Sequence, residues 1–66
     1  MSNRKEFASI INGETGRVAK LYHIAEFEEY EVEFFEGLAK SSKATYFTRC
    51  RTEALNFAVD WAHKKD

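Results

Sequence analysis

At 66 residues and a formal net charge of -1, the chain has room for one small domain and lacks the basic excess that nucleic-acid phosphates or an anionic membrane would attract. Its 44% apolar and 15% aromatic content excludes a disordered chain, because six Phe, three Tyr and one Trp supply enough area per residue for a small core. A single cysteine excludes an intrachain disulfide, and no apolar run approaches the roughly 20 residues of a membrane span, so the sequence predicts a cytoplasmic protein with no membrane partner.

Residues 1–6 are polar and are expected to fray. The apolar run Phe7 to Asn12 predicts a first strand, and Asn12-Gly13 opens a turn that closes at Gly16, where residues tolerant of positive φ mark a hairpin. The loop exceeds the ideal two residues, which leaves the hairpin register open. Arg17 to Ala25 fits a strand, with Val18, Lys20, Tyr22 and Ile24 on one face and Ala19, Leu21 and His23 on the other. It also fits a helix through Val18, Leu21, Tyr22 and Ala25, but the next turn would set Glu28 and Glu29 on the apolar stripe. The strand is therefore preferred.

Glu29 to Glu36 has the clearest period of two: Tyr30, Val32 and Phe34 face one way, and Glu29, Glu31, Glu33 and Phe35 the other. Burying the carboxylates would be costly, so the first set belongs to the core and the second faces solvent or a partner. Gly37 ends this strand, 38–43 reads as a loop, and Ala44 to Thr48 as a short strand. Residues 50–64 then form an amphipathic helix, with Thr48 or Thr52 as N-cap, a stripe of Ala54, Leu55, Ala58, Trp61 and Ala62, and Phe57 at its border. Leu55 and Trp61 are expected to fill the depth between helix and sheet. The resulting expectation is one α+β domain over 1–66: a small antiparallel meander of three or four strands across residues 7–48, packed against one C-terminal helix.

Val18 to Tyr22, Glu29 to Phe35, Ala44 to Thr48 and Glu53-Ala54-Leu55, taken in that order, resemble small uncharacterised accessory proteins of tailed bacteriophages. The likeness covers roughly Arg17 to Ala62. It implies a phage or prophage origin, action in the host cytoplasm and a non-enzymatic role that modulates a host protein, and it transfers no site residue. A three-stranded sheet entering a C-terminal helix through an aromatic-x-Thr strand end is also similar to the arm-type DNA-binding domain of tyrosine recombinases and to AP2-type domains. Those read DNA with basic and aromatic residues on the outer sheet face, where this chain carries Glu29, Glu31 and Glu33, a departure that argues against the same use.

The sequence names no catalytic residue, metal site or cofactor. His23 and His63 form no cluster of zinc-ligand spacing with Cys50, and the glycines are turn residues rather than a phosphate loop. His23 is expected as a half-buried sheet residue, and Asp60 with His63 as a solvated pair. Cys50, between Arg49 and Arg51 near the helix start, has a thiolate-favouring setting but no visible base or resolving thiol.

Charge distribution carries the functional signal. Residues 25–37 hold six Glu and no basic residue, whereas residues 1–24 hold four basic and two acidic groups and 38–66 six basic and three acidic. The glutamates either pair across strands with Arg17, Lys20, Lys43 or Arg49, or form an acidic surface for a partner's basic one. In the second case Glu29, Glu31, Glu33 and Phe35 are the binding residues, with Phe35 as apolar anchor. Phe35 alternatively packs under Phe7 or forms a homodimer seam. The expected function is a small binding module acting on a protein. The alternative is a nucleic-acid-binding domain using Lys43, Arg49 and Arg51 around the helix start.

Overall fold

The computed structural model describes residues 4–41 and 44–64. The elements run β1 (Arg4–Asn12), β2 (Arg17–Ile24), β3 (Glu29–Glu36), β4 (Ala39–Lys40), β5 (Tyr46–Thr48) and α1 (Arg51–His63). The strands form one antiparallel sheet in the order β1-β2-β3-β4, with β5 also paired to β3. The far edge of β3 is thus shared: Phe35 and Glu36 pair with β4, and Tyr30 to Val32 with β5. This is the α+β meander with a C-terminal helix that the alternation predicts.

The β2–β3 register sets Ala19 opposite Phe34, Leu21 opposite Val32 and His23 opposite Tyr30, so one face collects the apolar set of both strands. That register settles Arg17 to Ile24 as a strand. β1 begins at Arg4 rather than at Phe7, because Arg4, Lys5 and Glu6 pair with Ile24, His23 and Tyr22. The register shifts between Glu6 and Ala8, and the bulge leaves both Phe7 and Ala8 packed against the core. The run 38–43 is also not wholly loop, since Ala39 and Lys40 add a two-residue strand.

The fully buried residues are Ala19, Leu21, Val32 and Phe34 from the sheet and Ala54, Ala58 and Ala62 from the helix, with Trp61 close behind. The three alanines recur every four residues, so one smooth helix face lies directly on the sheet. Depth comes from Phe34, Leu21 and Val32. Leu55, expected to share that role with Trp61, is only partly buried and packs at the margin. Aromatic contacts close the flanks: Phe34 meets Trp61 at 4.7 Å and Phe57 at 5.9 Å between ring centroids, and Phe57 stacks on Tyr46 at 4.2 Å.

Both helix ends are held by the sheet. At the C-terminus the first hairpin supplies donors to the carbonyls of the helix end: Asn12 Nδ2 and Thr15 Oγ1 donate to Ala62 O at 3.0 and 3.1 Å, and Arg17 Nη1 to Lys64 O at 3.1 Å and to Trp61 O at 3.0 Å, which the Lys64 amide also reaches at 3.2 Å. The turn is shaped for this. Asn12 Oδ1 accepts from the Glu14 amide, and Gly16, at φ 75°, closes the loop by donating to Asn12 O. At the N-terminus neither Thr48 nor Thr52 is the cap. Cys50 occupies that position without a side-chain cap bond. Thr48 Oγ1 instead accepts from the Cys50 amide and donates to Glu53 in the first helical turn, which Tyr46 also hydrogen-bonds.

Candidate binding surfaces

Alternation through β1, β2 and β3 leaves a second sheet face, opposite α1, and among the described residues no element lies over it. Glu29, Glu31, Glu33 and Phe35 share this face, as their spacing predicts. Two of the three carboxylates, Glu31 and Glu33, are not free, however. Arg4 Nη1 lies 2.6 Å from Glu31 Oε2 and 3.2 Å from Glu33 Oε1, and Lys40 Nζ lies 3.5 Å from Glu33 Oε2. The Arg4 guanidinium also stacks over the Tyr22 ring at 4.1 Å from its centroid. Burial and the adjacent Glu33 carboxylate push the Tyr22 phenol above its ordinary pKa.

Glu31 is consequently a buried side chain on the outer face, contrary to the expectation of a solvent-facing carboxylate. The cause is local. Tyr22 and Phe47 flank it in register on β2 and β5, and Arg4 covers it. The bridging cation comes from the segment expected to fray, and not from Arg17, which is committed to the helix end, nor from Lys20, whose Nζ sits 5.1 Å over the Phe35 ring. Phe35 and Phe7 occupy opposite faces, so packing of one under the other does not occur.

Apolar groups border this paired centre. Ile11, Val18 and Phe35 lie in one cross-strand row, with Ile11 70% exposed, and Phe47 is 53% exposed beside Glu31 on the opposite side. The Phe47 contribution was readable from the alternation of Ala44 to Thr48, which sets it against Tyr46 and Thr48.

A different surface gathers at the start of α1. An open cleft of about 610 Å³ is lined by His23, Ala25, Phe27, Glu28, Tyr30 and Arg49. His23 stacks on Tyr30 at 5.0 Å and 27°, and Phe7 meets Tyr30 edge-on at 5.7 Å. His23 is thus the half-buried sheet residue expected. Arg51 is exposed, with its guanidinium 4.9 Å from the Phe7 ring. Of the three basic residues in the nucleic-acid alternative, Arg49 and Arg51 therefore come to one end of the molecule, and Lys43 lies outside the described residues. Phe27, 61% exposed, was not singled out by sequence reasoning, and Glu28 entered it only as one of the six clustered glutamates; both sit in the β2–β3 turn, where no periodicity operates.

Among the described residues no three His, Cys, Asp or Glu side chains group as metal ligands. Cys50 is exposed, and His63 Nδ1 lies 3.0 Å from the Val59 carbonyl near the helix end. No helix of the described residues is long and apolar enough to cross a membrane. No protein-family model matches the chain, and neither a curated protein nor a solved structure does.

Proposed function

We propose that this protein is a non-enzymatic binding module that engages another protein through the outer sheet face, in the manner of a phage accessory protein acting on a host protein. One observation carries the reading: a sheet face left uncovered presents Phe47 and Phe35 around an ion-paired centre. Partly exposed aromatic rings bordering satisfied polar groups are what a protein interface uses as anchors. Its carboxylates are already largely desolvated and paired within the chain, so a partner covering them meets a reduced further desolvation cost. With Arg4 and Lys40 set against Glu31 and Glu33, steering of a basic partner falls to other acid of the central segment, chiefly Glu26 and Glu29.

The test is capture of a stoichiometric partner from a bacterial lysate, comparing wild type with Phe47→Ala and Phe35→Ala, each shown folded by its melting curve. Loss of that partner from both folded variants is expected. Retention by both at wild-type yield refutes this face as the binding surface.

A further inference from the structure

The cleft at the start of α1 combines three chemistries. It has aromatic surface in the stacked His23–Tyr30 pair and in exposed Phe27. It has one permanent cation, Arg49, beside the positive end of a 13-residue helix, with Arg51 nearby on Phe7. It has one carboxylate acceptor, Glu28. A basic peptide would be repelled by the arginines, and a purely apolar ligand would leave both charges unanswered in the wall. An aromatic ring that bears both an anion and an amine answers all three.

The turn supplies a separate observation. Glu28 holds a left-handed backbone, φ 51°, the one non-glycine residue described with positive φ. Successive bonds, Phe27 N–H to Ile24 O at 3.2 Å and Glu28 N–H to Ala25 O at 3.3 Å, fix that conformation. Glycine or asparagine would adopt it at lower cost.

We propose that this cleft holds a nucleotide unit, its base against Phe27 and the His23–Tyr30 pair, its phosphate at Arg49 and an exocyclic base amine at Glu28. The volume is within the range of small-ligand sites, roughly 300–1,000 Å³. The site is sequence-tolerant in kind, since stacking accepts any base, while Glu28 favours bases that carry an amine over uracil and thymine. Free nucleotide and single-stranded nucleic acid share this chemistry. Duplex DNA does not, because its bases are stacked away.

Amide-resolved NMR titration of the whole chain tests the site, using 5′-AMP, 5′-UMP, inorganic phosphate and a short oligo-dA. Shifts confined to residues 23–30 and 49–51, stronger for AMP than for UMP and phosphate, are expected. Phe27→Ala and Arg49→Ala, both surface changes, should each weaken AMP binding about tenfold. Glu28→Gly should leave the fold intact and erase the preference of AMP over UMP. Tighter binding of oligo-dA than of AMP identifies the ligand as single-stranded nucleic acid, and equal binding identifies free nucleotide; both uphold the site. No shifts at millimolar AMP, equal response to phosphate alone, or shifts centred on Phe35 and Phe47 overturn it. Because Phe27 and Arg49 lie off the outer face, failure here leaves the protein-binding reading standing, and the reverse.

Discussion

Replacing Arg4 with alanine tests whether the outer face is organised by a buried ionic centre or is merely decorated with charge. Exposed ion pairs contribute about 0.2–1 kcal/mol, whereas removing one partner of a fully buried pair costs about 3–5 kcal/mol. This centre lies between those limits. The Arg4 side chain is 34% exposed, so water screens it and partly replaces it, but Glu31 and Glu33 are 11% and 13% exposed and would be left facing one another. Arg4→Ala is therefore expected to cost about 1–2 kcal/mol, discounted from the buried value for that screening. In so small a domain this lowers Tm by about 5–15 °C. Circular-dichroism melts of Arg4→Ala, Glu31→Gln and the double variant should show clear non-additivity, because the loss of Glu31 charge removes what Arg4 compensates. Arg4→Met keeps an aliphatic stem without the guanidinium and separates packing from charge. An unchanged Tm for Arg4→Ala, with additive singles, would refute the buried-centre account. By the same geometry, reversing both Glu31 and Glu33 to lysine should destabilise the fold, since two cations would then face Arg4 across a covered site.

Phe34→Ala should cost about 3–5 kcal/mol, enough to unfold much of the population, while Leu55→Ala should fall below the roughly 2 kcal/mol that opens the range for buried leucines; equal losses on denaturant titration would contradict the packing described. Ala58→Leu should cost about 1–3 kcal/mol by forcing α1 off the sheet, and a neutral result would show slack at that contact. Hydrogen bonds from Tyr46 and then Thr48 hold the Glu53 carboxyl below its ordinary pKa. Its contribution is thus present above the unfolded-state pKa and lost as pH falls through the folded one. Melts of wild type and Glu53→Gln should differ near neutrality and converge in acid; a constant difference across pH would count against the assignment.

The fold was legible where period and composition agree. Tyr30, Val32 and Phe34 alternate against charged neighbours, and Ala54, Ala58 and Ala62 repeat at helical spacing, so both buried faces could be written down from the chain. What escaped depends on register across distant segments. Arg4 reaches Glu31 only because a bulge at Phe7 shifts β1, and nothing local in a polar N-terminal hexapeptide distinguishes a strand end from a frayed one. Arg17 looked like a partner for the glutamates, but helix carbonyls that only the tertiary fold brings near take it instead. The cleft depends on a turn, where neither alternation nor helical spacing makes a prediction.

The carbonyls of the last turn of α1 are satisfied by Asn12, Thr15 and Arg17 of the first hairpin, and Arg17 also lies over Trp61 at 5.2 Å. The hairpin therefore locks the C-terminal end of the helix, where Trp61 and Ala62 are buried. The opposite end has no side-chain cap at Cys50 and rests on Tyr46, Thr48 and Glu53 at the surface. Helix ends held by several long-range bonds open less readily than ends held by local ones. The arrangement places the first turn of α1, Arg51 through Glu53, beside the cleft lined by Arg49, His23 and Tyr30, away from the packing under Ala58 and Ala62. The outer face has the opposite character. Its centre is tied across β1, β3 and β4 by Arg4, Glu31, Glu33 and Lys40, which favours a preformed surface that a partner meets with little rearrangement.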